Sequence, residues 1–423
     1  MGFSTRLYCF LLFCFPFFCL AQEVRVQHIS FEGLKKSKAT YLQKLLTQKE
    51  DHHFSSSKID DDLILLLREP AVSHVYTTVN TLTSEQLNLI YHIEENKTLI
   101  PAVDLWQSVN NAFAYHLGLT DYNFIGKGYT VGAFYRQNNF PGFGVIFENN
   151  NFMSAATELK ILAQQIENLE PIRVEASQAN FRYRFQSVDI SLGREINLKH
   201  KVVLGAGVIG ERYLFEEGDD IVNVPKYFST TKGVGKLGYT YDYIHPHYYH
   251  LKGWRSQTYA THVWGKSITD NNTFYTIENE TSYFKRIKSL GNLAFRAQLG
   301  VARNIDSPFP PFAIDNNRNV RGAGNLVQRG NAYWAINTEY RHSLFEKGWF
   351  ALQGNVFVDM AGIRPVDQRF NALFKSENNY QYGGIGLRFI HKYIYKAVLR
   401  MDYGINLDGF KNSSLVFGID QFF

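Results

Sequence analysis

The sequence predicts a mostly β protein, a 16-stranded antiparallel transmembrane β-barrel preceded by one small α+β module. Three observations lead there. From about residue 99 onward, apolar and polar residues alternate with a period of two, the pattern of strands with two unlike faces. Aromatic residues are abundant, with 34 Phe, 26 Tyr and 5 Trp. Tyr and Trp suit places where one end is apolar and the other wet. Finally, beyond the first 21 residues no apolar stretch is long enough for a spanning helix. A chain of this kind that crosses a membrane must do so as a closed barrel, because only helices and barrels satisfy their backbone in lipid.

The first element is an export signal, residues 1–21. Arg6 precedes an apolar run from Leu7 to Leu20, with small residues at Cys19 and Ala21. Cleavage is expected after Ala21. Phe18 is too bulky to precede a lipidated Cys19. All three cysteines, Cys9, Cys14 and Cys19, lie in this segment, so the exported chain has no disulfide or thiolate metal site. Its formal charge falls from +5 to +4 once Arg6 is removed. So mild a charge argues against nucleic acid as a partner.

The second element is the small module, residues 23–98. Val24 to Gly33 reads as a strand closed by a glycine. Lys36 to Leu46 places Tyr41, Leu42, Leu45 and Leu46 at helical spacing. Ser55 to Asp60 offers N-caps for a second helix through Leu67. Val72 to Leu82 and Gln86 to Glu95 alternate as strands. The order is strand, helix, helix, strand, strand.

The third element, residues 99–423, divides into sixteen candidate strands of about 20 residues each with its connection. Strands of roughly 9–11 residues with loops between them would fill that length. Three show the alternation well. Trp349 to Met360 sets Phe350, Leu352, Val356, Val358 and Met360 against Gln353, Asn355 and Asp359. Leu293 to Val301 sets Leu293, Phe295, Leu299 and Val301 against Arg296 and Gln298. Leu399 to Ile405 opposes Leu399, Met401 and Tyr403 to Arg400 and Asp402. Apolar-out, polar-in alternation is expected of a membrane barrel. The last strand is expected over Ser414–Phe423, with Leu415, Phe417 and Ile419 on one face.

Few residues suggest chemistry. His245, His247 and His250 crowd one stretch, but Pro246 and Gly253 mark a turn, and metal ligands must converge in space. We read an interfacial turn rich in His and Tyr and predict no metal. No nucleophile elbow or other catalytic spacing appears, so no enzyme activity and no cofactor is expected. Gly126 and Gly128 fit a turn rather than a nucleotide loop, since no helix follows.

The stretch that asks for an explanation is Asn316 to Asn331, NNRNVRGAGNLVQRGN, a loop before the strand Ala332 to Leu344. Parity places Glu339 on one face with Asn337 and Arg341, opposite Trp334, Ile336 and Tyr340. Asp359 lies on the polar face of the next strand. Both acids should point inward, available to one guanidinium. An arginine can bridge two carboxylates through its forked donors, where lysine cannot.

Four local motifs occur in order: Asp121-Tyr-Asn-Phe-Ile-Gly-Lys-Gly128, Val320-Arg-Gly322, Asn337-Thr-Glu-Tyr-Arg341 and Val356-Phe-Val-Asp-Met-Ala-Gly362. With the single N-terminal module and a final phenylalanine, they make the chain resemble the BamA/TamA (bacterial surface antigen) superfamily of outer-membrane assembly and translocation barrels. The module, opening on Ile29-Ser-Phe-Glu-Gly33 and closing on Leu89-Ile-Tyr-His-Ile-Glu-Glu95, is similar to a POTRA domain. A single such module departs from the multi-module members, and Gln421 stands where the family's C-terminal signal is usually hydrophobic.

The resemblance implies an outer membrane of Gram-negative type, with the module in the periplasm. It implies insertion of outer-membrane proteins or translocation of secreted ones; a passive pore and an accessory barrel of an assembly complex are the alternatives. Partners would be outer-membrane lipid, unfolded clients, and periplasmic chaperones or accessory lipoproteins. Val320, Arg321 and Gly322 would form a loop latch inside the lumen, with Arg321 paired to Glu339 and Asp359. Leu415, Phe417, Gly418 and Phe423 would carry the C-terminal barrel signal. A lateral gate would lie between residues 99–107 and 414–423.

Overall fold

The computed structural model describes residues 24–107, 113–154, 156–174, 177–221, 224–247, 249–265, 273–303, 310–314, 319–323, 328–365, 368–395, 397–409 and 412–423. The expected signal segment lies outside the described residues.

The N-terminal part is a three-stranded sheet with two helices. Its elements are β1 (Arg25–Glu32), α1 (Ala39–Leu45), α2 (Ser56–Arg68), β2 (Val72–Thr81) and β3 (Gln86–Glu95). Sheet order is β1-β3-β2, with β1 parallel to β3 and β2 antiparallel to it. The parallel pair needs a crossover, which the two helices supply. Val26, Leu42, Leu66 and Leu89 form the core. Buried Asp62 on α2 accepts from the Tyr91 hydroxyl at 2.7 Å and from the Gln48 amide at 3.2 Å, tying helix to sheet. The first helix is shorter than its apolar spacing predicts. The amides of Lys36 and Ser37 each donate to the Glu95 carboxylate at 2.8 Å, so the chain cannot enter the helix there.

Sixteen strands make the second, larger sheet. In chain order they begin with β4 (Leu99–Gln107), β5 (Phe113–Phe124), β6 (Tyr129–Asn138), β7 (Phe140–Asn149), β8 (Thr157–Val174) and β9 (Ser177–Asn197). Then come β10 (His200–Gly218), β11 (Tyr227–His247), β12 (His250–Gly265), β13 (Thr273–Ile287) and β14 (Gly291–Ala302). Two short strands, β15 (Phe312–Ile314) and β16 (Gln328–Gly330), pair with each other inside the long loop. The wall resumes with β17 (Ala332–Lys347), β18 (Phe350–Arg364), β19 (Asn379–His391), β20 (Val398–Asn406) and β21 (Ser413–Ile419). Every neighbour is antiparallel, and β14 pairs with β17 across the loop. β4 and β21 lie side by side, yet no ladder joins them among the described residues. The barrel is therefore nearly closed, with one unpaired seam.

The parity read from sequence holds in the wall. On β18, Ala351, Gln353, Asn355, Phe357 and Asp359 are buried while Val356 and Val358 are exposed. On β14, Arg296 and Gln298 are buried while Leu299 and Val301 are exposed. An apolar exterior around a polar interior is what lipid outside and a polar lumen inside require.

Strand lengths depart most from expectation at β8 to β11 and at the last strand. β8 to β11 run 18, 21, 19 and 21 residues, well beyond what a bilayer needs. Their outward positions turn polar toward the end away from the N-terminal sheet, so the ladder continues past the apolar band. The last strand stops at Ile419 rather than Phe423. Asp420 takes a left-handed backbone, φ +80°, which turns the final residues out of the wall and into the lumen.

The N-terminal unit sits on one rim of the barrel. The glycine-rich turn after β5 is its socket. A Cβ on Gly126 would meet the Lys36 carbonyl oxygen at 2.0 Å, and one on Gly128 the Tyr41 ring at 2.3 Å. The Lys38 amide donates to the Gly126 carbonyl at 2.8 Å, and Lys36 pairs with Asp121 at 2.7 Å. On the opposite side of the unit, Arg68 donates to the Leu198 carbonyl in the β9–β10 turn at 2.6 Å. The barrel end carrying these turns is called the near end below, and the other the far end.

Candidate functional site

The loop between β14 and β17 enters the lumen from the far end. Phe312 and Ile314 of β15 pack with Tyr333, Ala361 and Ile363 of the wall, and Val320 joins this cluster fully buried. Three consecutive residues then do three different things. Val320 anchors in apolar contact. Arg321 projects into the lumen. Gly322, at φ +94°, lies flat on β20, where a Cβ would meet Gly404 backbone atoms at 2.6–2.8 Å. Gly404 has the same need from its own side, since its Cβ would meet the Arg321 carbonyl oxygen at 2.7 Å. Only glycine on both sides allows the approach.

The Arg321 side chain is wholly buried. Its Nε and Nη2 donate to the two Asp359 oxygens at 2.8 and 2.9 Å, a forked pair, and its backbone amide donates to Asp359 at 3.0 Å. Its Nη1 donates to Glu339. The register explains why one guanidinium reaches both acids. Asn337 lies opposite Asp359 across β17–β18, so Glu339, two residues on, is a diagonal neighbour on the same inner face. The Arg321 guanidinium also lies 3.8 Å from the Phe357 ring centroid and 4.3 Å from that of Phe422.

More charges join than the sequence singles out. Glu339 also accepts from Arg341. Asp402 on β20 pairs with Arg388 at 2.8 Å and lies 3.9 Å from Arg321. Arg400 approaches Asp402 at 3.6 Å. Four guanidinium groups thus share three carboxylates in a site closed to water. Isolated buried charge is costly, and the acids and ring faces offset much of that cost here, although Arg341 Nη1, Arg388 Nη2 and Arg400 Nε and Nη1 are buried with no hydrogen-bond acceptor. Strand parity marks Arg341, Arg400 and Asp402 as inward, which was signal enough to suspect them. Nothing local in the sequence points to Phe357, Gly404 or Phe422 as contacts of the loop.

The C-terminal residues divide between two sides of the wall. Leu415 and Phe417 are exposed outward on β21. Gly418 faces inward, where a Cβ would meet the Arg400 guanidinium at 2.7 Å. Phe423 is inside the lumen, its main-chain oxygen accepting from Arg341 at 2.8 Å. Phe422 and Phe423 lie 4.8 and 4.9 Å from the Arg296 guanidinium. Tail and loop therefore converge on one arginine-rich cluster.

On the near-end side of that cluster is a vestibule of about 1360 Å³. Arg341, Phe422 and Phe423 close its inner end, while Arg68, Glu69 and His74 of the N-terminal unit line its entrance. Burial pushes the Glu69 carboxyl up to about 7, against a hydrogen bond from the Tyr41 hydroxyl that lowers it, with the charge of Glu195 adding to the rise. Among the described residues, no group of three or more His, Cys, Asp or Glu could hold a metal ion.

No family model and no curated protein sequence matches the chain. Solved structures do. BamA from Haemophilus ducreyi lacking POTRA domains 1-3 matches with a TM-score of 0.56 at 16% identity, covering 94% of this chain and 84% of that one. CdiB from Escherichia coli gives 0.66 at 12% identity, covering 94% and 76%. CdiB from Acinetobacter baumannii gives 0.60 at 13% identity, covering 95% and 74%. At these identities the likeness is one of fold. The BamA-type resemblance read from the sequence motifs is met by the architecture: this chain has the fold of the BamA and CdiB barrels over nearly its whole length.

Proposed function

We propose that this barrel inserts or translocates other proteins at a Gram-negative outer membrane. The observation that carries the reading is the unpaired seam between β4 and β21 in a barrel whose lumen holds the Arg321 loop and the C-terminal tail. A wall that lacks one ladder can part sideways, and an extended client can add its own strand to the exposed edge. Inside the lumen, the Arg321 loop and Phe422–Phe423 stand across the inner end of the vestibule. Val320, Arg321 and Gly322, with Glu339 and Asp359, then serve as a latch that keeps the barrel shut to small solutes. Leu415, Phe417, Gly418 and Phe423 make β21 both a gate strand and a contact to the latch.

The N-terminal unit is, on this reading, a periplasmic POTRA-like domain that hands clients to the vestibule. Its strand order supports that. So does the extent of the likeness, since 94% of the chain is covered whereas residues 99–423 are only 325 of 423. Clients would be unfolded outer-membrane or secreted proteins, delivered by periplasmic chaperones or accessory lipoproteins. Strand pairing and lipid burial drive the step, so neither cofactor nor catalytic residue is called for. Depletion of the protein followed by quantification of the outer-membrane proteome tests this. Loss of a set of barrels or surface proteins, with unfolded forms building up in the periplasm, is the expected result. An unchanged proteome, with steady ohmic conductance from the purified barrel, would favour the passive pore.

A further inference from the structure

The outward face of β8 to β11 can be read row by row from its ladders. Leu159, Leu192, Leu204 and Leu237 form one outward row, and Ala163, Val188, Val208 and Gly233 another nearer the far end. Val188, Ile190, Leu192 and Ile196 are all about half exposed or more, as lipid-facing residues are. Trp264, level with Gly233 on β12, is exposed at the far edge of this band, the place of an aromatic girdle. The next row is Gln165, Gln186, Gly210 and Thr231. Beyond it come Glu167, Arg184, Arg212 and Ser229, then Leu169, Arg182, Leu214 and Tyr227.

Two features of the charged row are unusual. Arg184 and Arg212 stand directly opposite each other on neighbouring strands. Like charges in that position repel. Arg182 and Arg184 are both held by one carboxylate, Glu167, which is itself buried, with the Arg184 Nε at 3.0 Å. Arg182 also lies over the Phe140 ring at 4.2 Å. Arg212 is exposed, and no acid pairs with it among the described residues. The next acids along β10 are Glu216 and, past a bulge, Glu217, which lies opposite Asn180 and accepts from its side chain at 2.9 Å. The patch therefore carries three guanidinium groups against one carboxylate, two of them fixed in orientation.

The height of the patch matters. If the apolar band ends at the Gln186 row, Arg184 lies two residues beyond, or about 5 Å higher after strand tilt. The headgroup layer of one leaflet is about 5–7 Å deep. We propose that Arg182, Arg184 and Arg212 form a surface site for the phosphate of a phosphorylated lipid headgroup in the far-end leaflet. Its acyl chains would lie along the Val188–Val208 rows below. An arginine fork matches phosphate geometry, and the anion would relieve the Arg184–Arg212 repulsion. The proposal rests on the membrane-barrel reading above.

The test uses the full mature chain in neutral detergent, titrated with bisphosphorylated lipid A and with its dephosphorylated form, and read by native mass spectrometry. The phosphorylated lipid should bind at least about tenfold more tightly, roughly one step of 1.4 kcal/mol. Arg184→Gln/Arg212→Gln should bring it down to the dephosphorylated level. Arg184→Lys/Arg212→Lys should retain part of the preference, since charge is kept and the fork lost. Inorganic phosphate at millimolar concentration should not displace the lipid; full displacement would make this a site for the free anion and overturn the lipid assignment. Equal binding by the wild type and the glutamine variant, with both showing the same heat-modifiable gel shift of a folded barrel, would overturn the site alone. Flotation with phosphatidylcholine vesicles separates the two failures, because a chain that does not insert overturns the membrane reading as well.

Discussion

Arg321 carries its charge where no water reaches it, and every atom of its fork is used. Removing the guanidinium leaves Glu339 and Asp359 buried with fewer partners, a loss of about 3–5 kcal/mol by analogy with other broken buried pairs. Arg321→Ala should therefore release the loop, seen as new trypsin cleavage between Ala302 and Ala332 in a barrel that otherwise stays folded. Arg321→Lys should rescue only in part, because an ammonium cannot chelate Asp359 and reach Glu339 together. A loop in Arg321→Ala that resists trypsin as the wild type does would refute the latch. Much of this site was legible in the sequence, because strand parity alone sends Glu339, Asp359, Arg341, Arg400 and Asp402 to the inner face. The Gly322–Gly404 contact and the Phe422 ring over Arg321 were not legible. They depend on where a loop and a tail travel through space, which no local period encodes.

Among the elements, the turn after β5 shows how a motif can be found and still be misjudged in weight. Asp121 to Gly128 reads as a plain glycine turn, yet it is the socket of the N-terminal unit. The reason for its glycines lies about 90 residues earlier in the chain, in the Lys36 carbonyl and the Tyr41 ring. Gly126→Ala should lift the unit off the rim, since both the φ of +73° and the 2.0 Å approach forbid a Cβ. The sequence has no cysteine after Cys19, so a Ser37→Cys/Asn123→Cys pair can report docking; the two side chains lie 2.9 Å apart across this contact. The disulfide should form readily in the otherwise wild-type chain and several-fold less in Gly126→Ala. Equal yields would mean that the unit is held elsewhere, at Arg68 and Leu198. Strand ends were read less well than strand faces. β8 to β11 overshoot the bilayer because pairing continues wherever ladders can form, and β21 falls short because Asp420 turns the chain inward toward the arginines.

For the whole molecule, the decisive property is the asymmetry of the wall. β10 has a full ladder on both sides, whereas β4 and β21 each have one. In an edge strand every second amide points at the missing partner. In lipid each unsatisfied group costs several kcal/mol, so such an edge is the place where the wall yields or takes in another strand. Hydrogen exchange at residue resolution should show this as alternation. In β21, alternate amides should exchange at least a hundredfold faster than those of β10, about 3 kcal/mol less opening free energy, while the intervening amides bonded to β20 stay protected. Addition of a peptide with the alternation of a barrel strand should slow the fast set and leave β10 unchanged, because the added strand fills the vacant donors and acceptors. Uniform protection across β4 and β21 without any peptide would mean that the barrel closes fully. The seam could then offer no edge to a client, and the lateral route would have to be abandoned in favour of passage through the lumen, which Arg321 and Phe422 would first have to vacate.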